Sequence, residues 1–132
     1  MTVRTATCRC RQLRVTCTGE PVRVSVCHCL ECQKRSGSAF AVQARWPDEH
    51  VETTGEYREW TGAGDSGVPA TFRFCPDCGA TISYAHAGMP GMTAVPVGAF
   101  ADPAFPPPEY SVYEERKHRW VAVVGEGIDH LG

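Results

Sequence analysis

Seven of the eight cysteines in this chain fall into three tight groups: Cys8 with Cys10, Cys27 with Cys29 and Cys32, and Cys75 with Cys78. Cys17 stands alone. Thiols clustered in this way are metal ligands or redox groups more often than small buried hydrophobes. The first ten residues carry Arg4 and Arg9 and no apolar stretch of the signal-peptide kind, so the chain reads as soluble and cytoplasmic. Reducing conditions there disfavour a disulfide framework, which leaves metal binding as the main use for the clusters. Whatever fold the chain adopts must therefore bring distant cysteines together.

Composition removes several function classes. With 132 residues the chain has the length of a single domain, 1–132, and enough mass to bury a core. Its formal net charge of −2 is wrong for sequence-independent nucleic-acid binding, which needs a basic surface. No apolar run is long enough to span a bilayer. The expected partners are small molecules, with no nucleic acid and no membrane; the oligomeric state is not specified by the sequence.

The alternation of apolar and polar residues predicts a mainly β chain with close-set turns. Leu13 to Cys17 and Val22 to Val26 alternate and read as strands, the first placing Cys17 on its buried face. Residues 39–44, 51–54, 57–61, 71–74, 81–84 and 93–100 read as further strands, the last interrupted by Pro96, with 109–113 as one more. Gly62 to Gly67 is a flexible hairpin tip, and Asp102 to Pro108 is too proline-rich for helix or central strand. The single helix expected is short, Leu30 to Arg35. Trp46, Tyr57, Trp60, Phe72, Phe74 and Tyr84 are expected in the core, with the lining of a pocket over the metal as the alternative for some of them.

Cys75-Pro76-Asp77-Cys78-Gly79 has the form of a zinc knuckle: a tight turn aims two sulfurs at one ion while backbone N–H groups support them. Cys8 and Cys10 are the natural second pair. A regular strand would send their side chains to opposite faces, so they belong in a bend. Spacing alone leaves other pairings open, including Cys75 and Cys78 joining the central cluster, or a redox disulfide across Cys29 and Cys32 or across Cys75 and Cys78. Cys27, Cys29 and Cys32 are left one ligand short. Four thiolates close a zinc site, whereas three leave a position for a substrate atom, and a thiolate-rich zinc favours a soft ligand, above all another thiol.

The chain resembles the glutathione-dependent formaldehyde-activating enzyme and centromere protein V family. Carrying the resemblance are Cys8-x-Cys10, Cys27-His28-Cys29-x-x-Cys32 followed by Lys34-Arg35-Ser36-Gly37, then Phe72-Arg73-Phe74-Cys75-x-x-Cys78-Gly79 and a late Trp120. It implies an Mss4-like β-tent of antiparallel sheets with zinc knuckles and little helix. It also implies two zinc ions per chain: a structural one on Cys8, Cys10, Cys75 and Cys78, and a catalytic, more labile one on Cys27, Cys29 and Cys32. The implied reaction adds glutathione to formaldehyde and is classed, in reverse, as that of a carbon–sulfur lyase. Thr7 and Arg11 stand where the family usually has glycine, which predicts a different local turn.

Among the remaining residues, Lys34, Arg35, Ser36 and Gly37 are candidates to bind an anionic, glutathione-like thiol, against the alternative of an ordinary solvated turn. His28 is expected to point away from the metal its neighbours hold, and His50, His86, His118 and His130 to lie at the surface. Glu31 is a candidate proton shuttle but is expected to be exposed. Phe40 and Trp120 are candidates for a pocket over the open site. Two functions fit these features: a zinc-dependent lyase or synthase joining a thiol to a small aldehyde such as formaldehyde, or a non-enzymatic zinc-binding or carrier module. Zinc stoichiometry and catalysis of thiol–aldehyde exchange discriminate them.

Overall fold

The computed structural model describes all residues from Met1 to Gly132. Eleven strands and one α-helix follow one another as β1 (Val3–Thr7), β2 (Arg14–Thr18), β3 (Arg23–Cys27), α1 (Leu30–Ser36), β4 (Ala41–Pro47), β5 (Val51–Thr54), β6 (Arg58–Ala63), β7 (Pro69–Phe74), β8 (Thr81–His86), β9 (Met92–Pro96), β10 (Tyr110–Val112) and β11 (Asp129–His130). The chain is mainly β with little helix, as its alternation predicted. No helix is long and apolar enough to cross a membrane.

The strands form two sheets. A three-stranded sheet runs β1-β2-β5, and an eight-stranded one runs β11-β10-β3-β4-β9-β8-β7-β6. Pairing is antiparallel except at one edge, where β10 lies parallel to both β3 and β11. The small sheet packs on one face of the large one. Ala6, Val15 and Cys17 from the small sheet meet Val24, Ala44, Trp46, Ile82 and Val95 from the large one in a single apolar core. Trp46 is fully buried and satisfies its indole by donating Nε1–H to Gly19 O at 2.9 Å.

The opposite face of the large sheet is concave and carries the chemistry. Strand periodicity puts Arg23, Ser25 and Cys27 on one side of β3, and the register sets them opposite Arg45, Gln43 and Ala41 of β4. Arg45 in turn pairs with Ala94, Ala94 with Tyr84, Tyr84 with Phe72, and Phe72 with Trp60. One row of side chains therefore crosses six strands.

Several elements differ from the sequence reading. The strand β1 was not predicted: only Ala6 of its five residues is fully buried, so no apolar alternation marks it. Strand β4 does not stop at Ala44 but runs through Pro47. Strand β9 ends at Pro96, which cannot donate to a ladder, and Val97–Phe100 becomes a 3-10 turn. Tyr57 and Trp60 are not core residues; Trp60 is 62% exposed, on the concave face at the sheet edge. Tyr57 instead lies under the Arg73 guanidinium, 4.8 Å from ring centre to Cζ.

Candidate metal centres and the cavity beside them

Two knuckles of similar design bring Cys8, Cys10, Cys75 and Cys78 together. Cys8 follows β1, and its N–H donates to Leu13 O at 3.0 Å while Arg11 N–H closes the turn onto Cys8 O at 3.1 Å. This bend, rather than regular strand, lets Cys8 and Cys10 face the same point. Arg11 holds φ at 73°, a left-handed conformation that costs a non-glycine residue about 1 kcal/mol. The second knuckle follows β7, with Cys75 N–H donating to Ala80 O at 3.0 Å and Gly79 N–H to Cys75 O at 2.8 Å. Gly79 takes φ 79°, the geometry that favours glycine there.

The sulfurs of Cys8, Cys10, Cys75 and Cys78 all lie within 4.8 Å of one another, with Cys8–Cys10 at 3.6 Å and Cys10–Cys75 at 3.7 Å. A tetrahedron with zinc–sulfur bonds of about 2.3 Å has sulfur–sulfur edges of roughly 3.8 Å. The donor set therefore fits zinc. Leu13 N–H supports Cys8 Sγ at 3.3 Å, Asp77 N–H supports Cys75 Sγ at 3.4 Å, and the Gln12 amide donates to Cys75 Sγ at 3.0 Å. Although burial works to raise the Cys75 thiol, the Gln12 amide and the Cys78 and Asp77 N–H groups bring it down to about 6, so it is poised as a thiolate.

Gln12 is held by a reciprocal pair with Glu56, donating to Glu56 O at 2.7 Å and accepting from Glu56 N–H at 2.9 Å. That approach requires Gly55. A Cβ there would stand 2.3 Å from Gln12 O and 2.9 Å from Leu13 Cα, and its φ of 107° is glycine geometry besides. Gly55→Ala is expected to cost about 3 kcal/mol or more, because backbone must move rather than a side chain. Denaturant melting checks the stability, and zinc retention against a chelator should fall in parallel.

Cys27, Cys29 and Cys32 form a separate cluster, again with all sulfurs within 4.8 Å. Cys27 ends β3, Cys29 is the N-cap of α1, and Cys32 lies in its first turn. The Cys29 sulfur accepts the Cys32 N–H at 3.3 Å, the usual work of a capping side chain. Hydrogen bonding from Cys27, the largest influence, brings Cys32 down to about 6 against the cost of burial, with Cys29 and the Arg35 guanidinium acting in the same direction. The Cys27 thiol is pushed up by that same contact and by burial, and burial also raises Cys29. Three clustered soft donors suit zinc, with one position fewer filled than in the first cluster.

His28 points away from this cluster. It is fully buried, its Nε2 lies 2.9 Å from Ser111 Oγ, and burial holds its pKa below the usual histidine value. Phe40 packs 6.2 Å from its ring and not over the cysteines. Trp120 is 75% exposed, its ring tilted against that of His118 at 5.4 Å, and it does not line the cavity. His50 lies beside Thr18 O, His130 pairs with Glu114, and His118 meets Gln33 Oε1.

A cavity of about 650 Å³ opens beside the three cysteines and is lined by Cys27, Cys29 and Cys32. The four-cysteine cluster does not border it. Of the sequence-nominated residues, Lys34 and Arg35 line the cavity, Glu31 lies at its edge paired with Lys34 at 3.6 Å, and His86 also lines it. Ser36 and Gly37 instead terminate α1, Gly37 at φ 68° with its N–H on Gln33 O at 2.8 Å. The Gly62–Gly67 tip forms a wall: Gly64 sits against Cys29 Sγ, and Asp65 is tied to Arg116 at 2.8 Å.

Arg23, Ser25, Gln43 and Arg45 were not nominated from sequence, yet with Tyr84 they build much of the wall. One signal was available: in the strand ending at Cys27, Arg23 and Ser25 share the cysteine's face by simple parity. Burial pushes Tyr84 up to about 12, with Arg45 and Arg35 offsetting part of the effect, so its hydroxyl keeps its proton at physiological pH.

The profile of the glutathione-dependent formaldehyde-activating enzyme family matches residues 3–116, which includes both cysteine clusters. The chain belongs to that family. A crystal structure of a Rhodobacter sphaeroides protein is similar to this family member at 18% identity, with a TM-score of 0.57, covering 72% of this chain and 85% of that one. At that identity the likeness bears on the fold alone. Comparison with curated proteins finds no match.

Proposed function

We propose that this family member is a zinc-dependent carbon–sulfur lyase of the S-(hydroxymethyl)glutathione synthase type. It takes a glutathione-like thiol beside Cys27, Cys29 and Cys32 and joins it to a small aldehyde such as formaldehyde. The observation that carries this reading is the asymmetry of the two clusters. Four cysteines close one centre that does not border the 650 Å³ cavity, while three open directly onto it, and it is of ligand size. The closed cluster suits a structural zinc and the open one a catalytic, more exchangeable zinc.

When bound at the open cluster, zinc supplies a coordination position at which a thiol ionises near neutral pH. The chain's own residues do the rest. Arg35 and Lys34 draw an anionic thiol into the cavity and offset the thiolate charge. Tyr84 Oη, in the cavity wall, offers a retained proton as a hydrogen-bond donor. The sulfur's electron pair forms the new bond to the carbonyl carbon, the carbonyl π pair moves to oxygen, and that oxygen takes the proton lost by the thiol. Alignment of the two reactants supplies much of the acceleration. A free thiol substrate and unoxidised cysteine ligands suit a reducing cytoplasm.

Exchange spectroscopy on glutathione, formaldehyde and their adduct at equilibrium tests the reading. The protein is expected to raise the exchange rate above the spontaneous background in proportion to its concentration. Adduct binding without any acceleration would instead make the chain a carrier and sink the enzymatic reading.

A further inference from the structure

Arg23 and Arg45 stand directly opposite one another across β3 and β4, both on the cavity face. Like charges in that position are destabilising unless something sits between them. No ion pair relieves them. The six ion pairs of the structure include neither Arg23 nor Arg45, nor the neighbouring Arg35. The cavity's two carboxylates are already taken, Glu31 by Lys34 and Asp65 by Arg116. Arg35 lies against the Cys32 sulfur, which leaves two guanidinium groups, Arg23 and Arg45, facing one cavity with no anion assigned to them.

Their surroundings are built rather than incidental. Arg45 is only 8% exposed, and its guanidinium makes a single, long hydrogen bond, Nη1 to Ser25 Oγ at 3.4 Å. Arg23 Nε and Arg35 Nε are buried without a partner, and so is Gln43 Oε1, whose amide nitrogen is spent on Ser25 at 2.9 Å. Aromatic rings cover the guanidinium faces: Tyr110 lies 4.2 Å from Arg23, and Tyr84 lies 5.9 Å from Arg45. A guanidinium stacked on its face and unpaired along its edge presents the two parallel donors that a carboxylate accepts.

We propose that Arg23 and Arg45, with Gln43 and Ser25 between them and Cys27, form a carboxylate-binding subsite. The ligand of the cavity thus carries an anion at a distance from its reacting atom. This deepens the proposed function, on which it rests for the identity of the reacting end. Four residue steps along β3 lead from Arg23 to Cys27, about 13 Å of strand, a span that formaldehyde alone cannot bridge. Gln43 Oε1 sits between the two ends and takes an N–H or O–H of the same ligand. The carboxylate belongs either to the thiol or to the aldehyde, and the chemistry of the subsite is the same for both.

Calorimetric titration of the zinc-loaded protein separates the possibilities with three probes. S-methylglutathione carries carboxylates but no free thiol, glyoxylate is the smallest aldehyde with a carboxylate, and 2-mercaptoethanol is a thiol with none. Arg23→Gln and Arg45→Gln are each expected to weaken at least one carboxylate probe by about tenfold or more, leaving 2-mercaptoethanol within about twofold. The probe that weakens identifies which reactant bears the carboxylate. Arg45→Lys, which keeps the charge but not the fork, should fall between. Should the buried Arg45→Gln fail to fold, the half-buried Arg23→Gln carries the test. The subsite is overturned if neither carboxylate probe binds the wild type, if the variants bind as wild type does, or if all three probes weaken equally. Binding needs no turnover, so loss of the enzymatic reading would leave this result standing, and exchange activity with unaltered probe binding would remove only the subsite.

Discussion

Cys75→Ser is expected to leave a chain that does not hold its fold. Cys75 is fully buried in the main core, and its sulfur meets Cys10 Sγ at 3.7 Å and the Gln12 amide at 3.0 Å. Removing it breaks a four-thiol set of the kind whose zinc, when bound, is worth about 10 kcal/mol or more in small zinc-dependent folds. A domain of this size has a total stability of only about 5–15 kcal/mol. The two knuckles lie 65 residues apart in sequence, so a metal bound there would cross-link the β1–β2 turn of the small sheet to the far end of β7. Without it, the Gln12–Glu56 pair loses its anchor as well. The variant should lose its cooperative melting transition and near-ultraviolet circular dichroism, with zinc content well below two per chain. Cys17→Ala is the control. Cys17 is equally buried, with its thiol pushed up to about 12 by burial, but it belongs to neither cluster. It should cost only the packing of one sulfur atom, about 1 kcal/mol, and retain both metals.

That contrast shows what the sequence made legible. Ligands announce themselves locally, because a knuckle needs its two cysteines within a few residues of a tight turn. Both knuckles, the short helix after Cys29 and most strands could therefore be read directly. Joining Cys8 and Cys10 to Cys75 and Cys78 is a long-range fact that spacing left open, and the fold brings those four together. The Arg23–Arg45 pair was hidden for the same reason. Arg23 lay in a strand that alternation marked, but Arg45 fell beyond the expected end of its strand at Ala44. Tetrahedral geometry needs no register, whereas a cross-strand pair exists only once β3 and β4 are aligned. Aromatic residues misled in the opposite direction. Trp60 reads as core by type, yet its ring lies over Gly62 on the cavity face, where only a glycine leaves room for it.

Cys29→Ser should separate activity from stability more cleanly than any other change at the open cluster. The Cys29 side chain has two jobs, as N-cap of α1 and as one of three clustered sulfurs. Serine is among the best N-cap residues, and its hydroxyl can accept the Cys32 N–H in place of sulfur, so the helix keeps its start. Alanine would lose that bond and about 1 kcal/mol with it. The hydroxyl is a poor zinc ligand at neutral pH, because it stays protonated where a thiol in such a cluster ionises. Two sulfurs then remain where three stood. The expected outcome is a protein with wild-type circular dichroism and a Tm within a few degrees, about one zinc per chain instead of two, and thiol–aldehyde exchange lowered by at least about a hundredfold. Zinc analysis, thermal melting and exchange spectroscopy on one preparation check all three together. A variant that kept full exchange activity with one zinc would move the chemistry away from Cys27, Cys29 and Cys32 altogether. One that lost both metals would instead show that the two clusters support each other through β3, whose other face carries Val24 into the shared core.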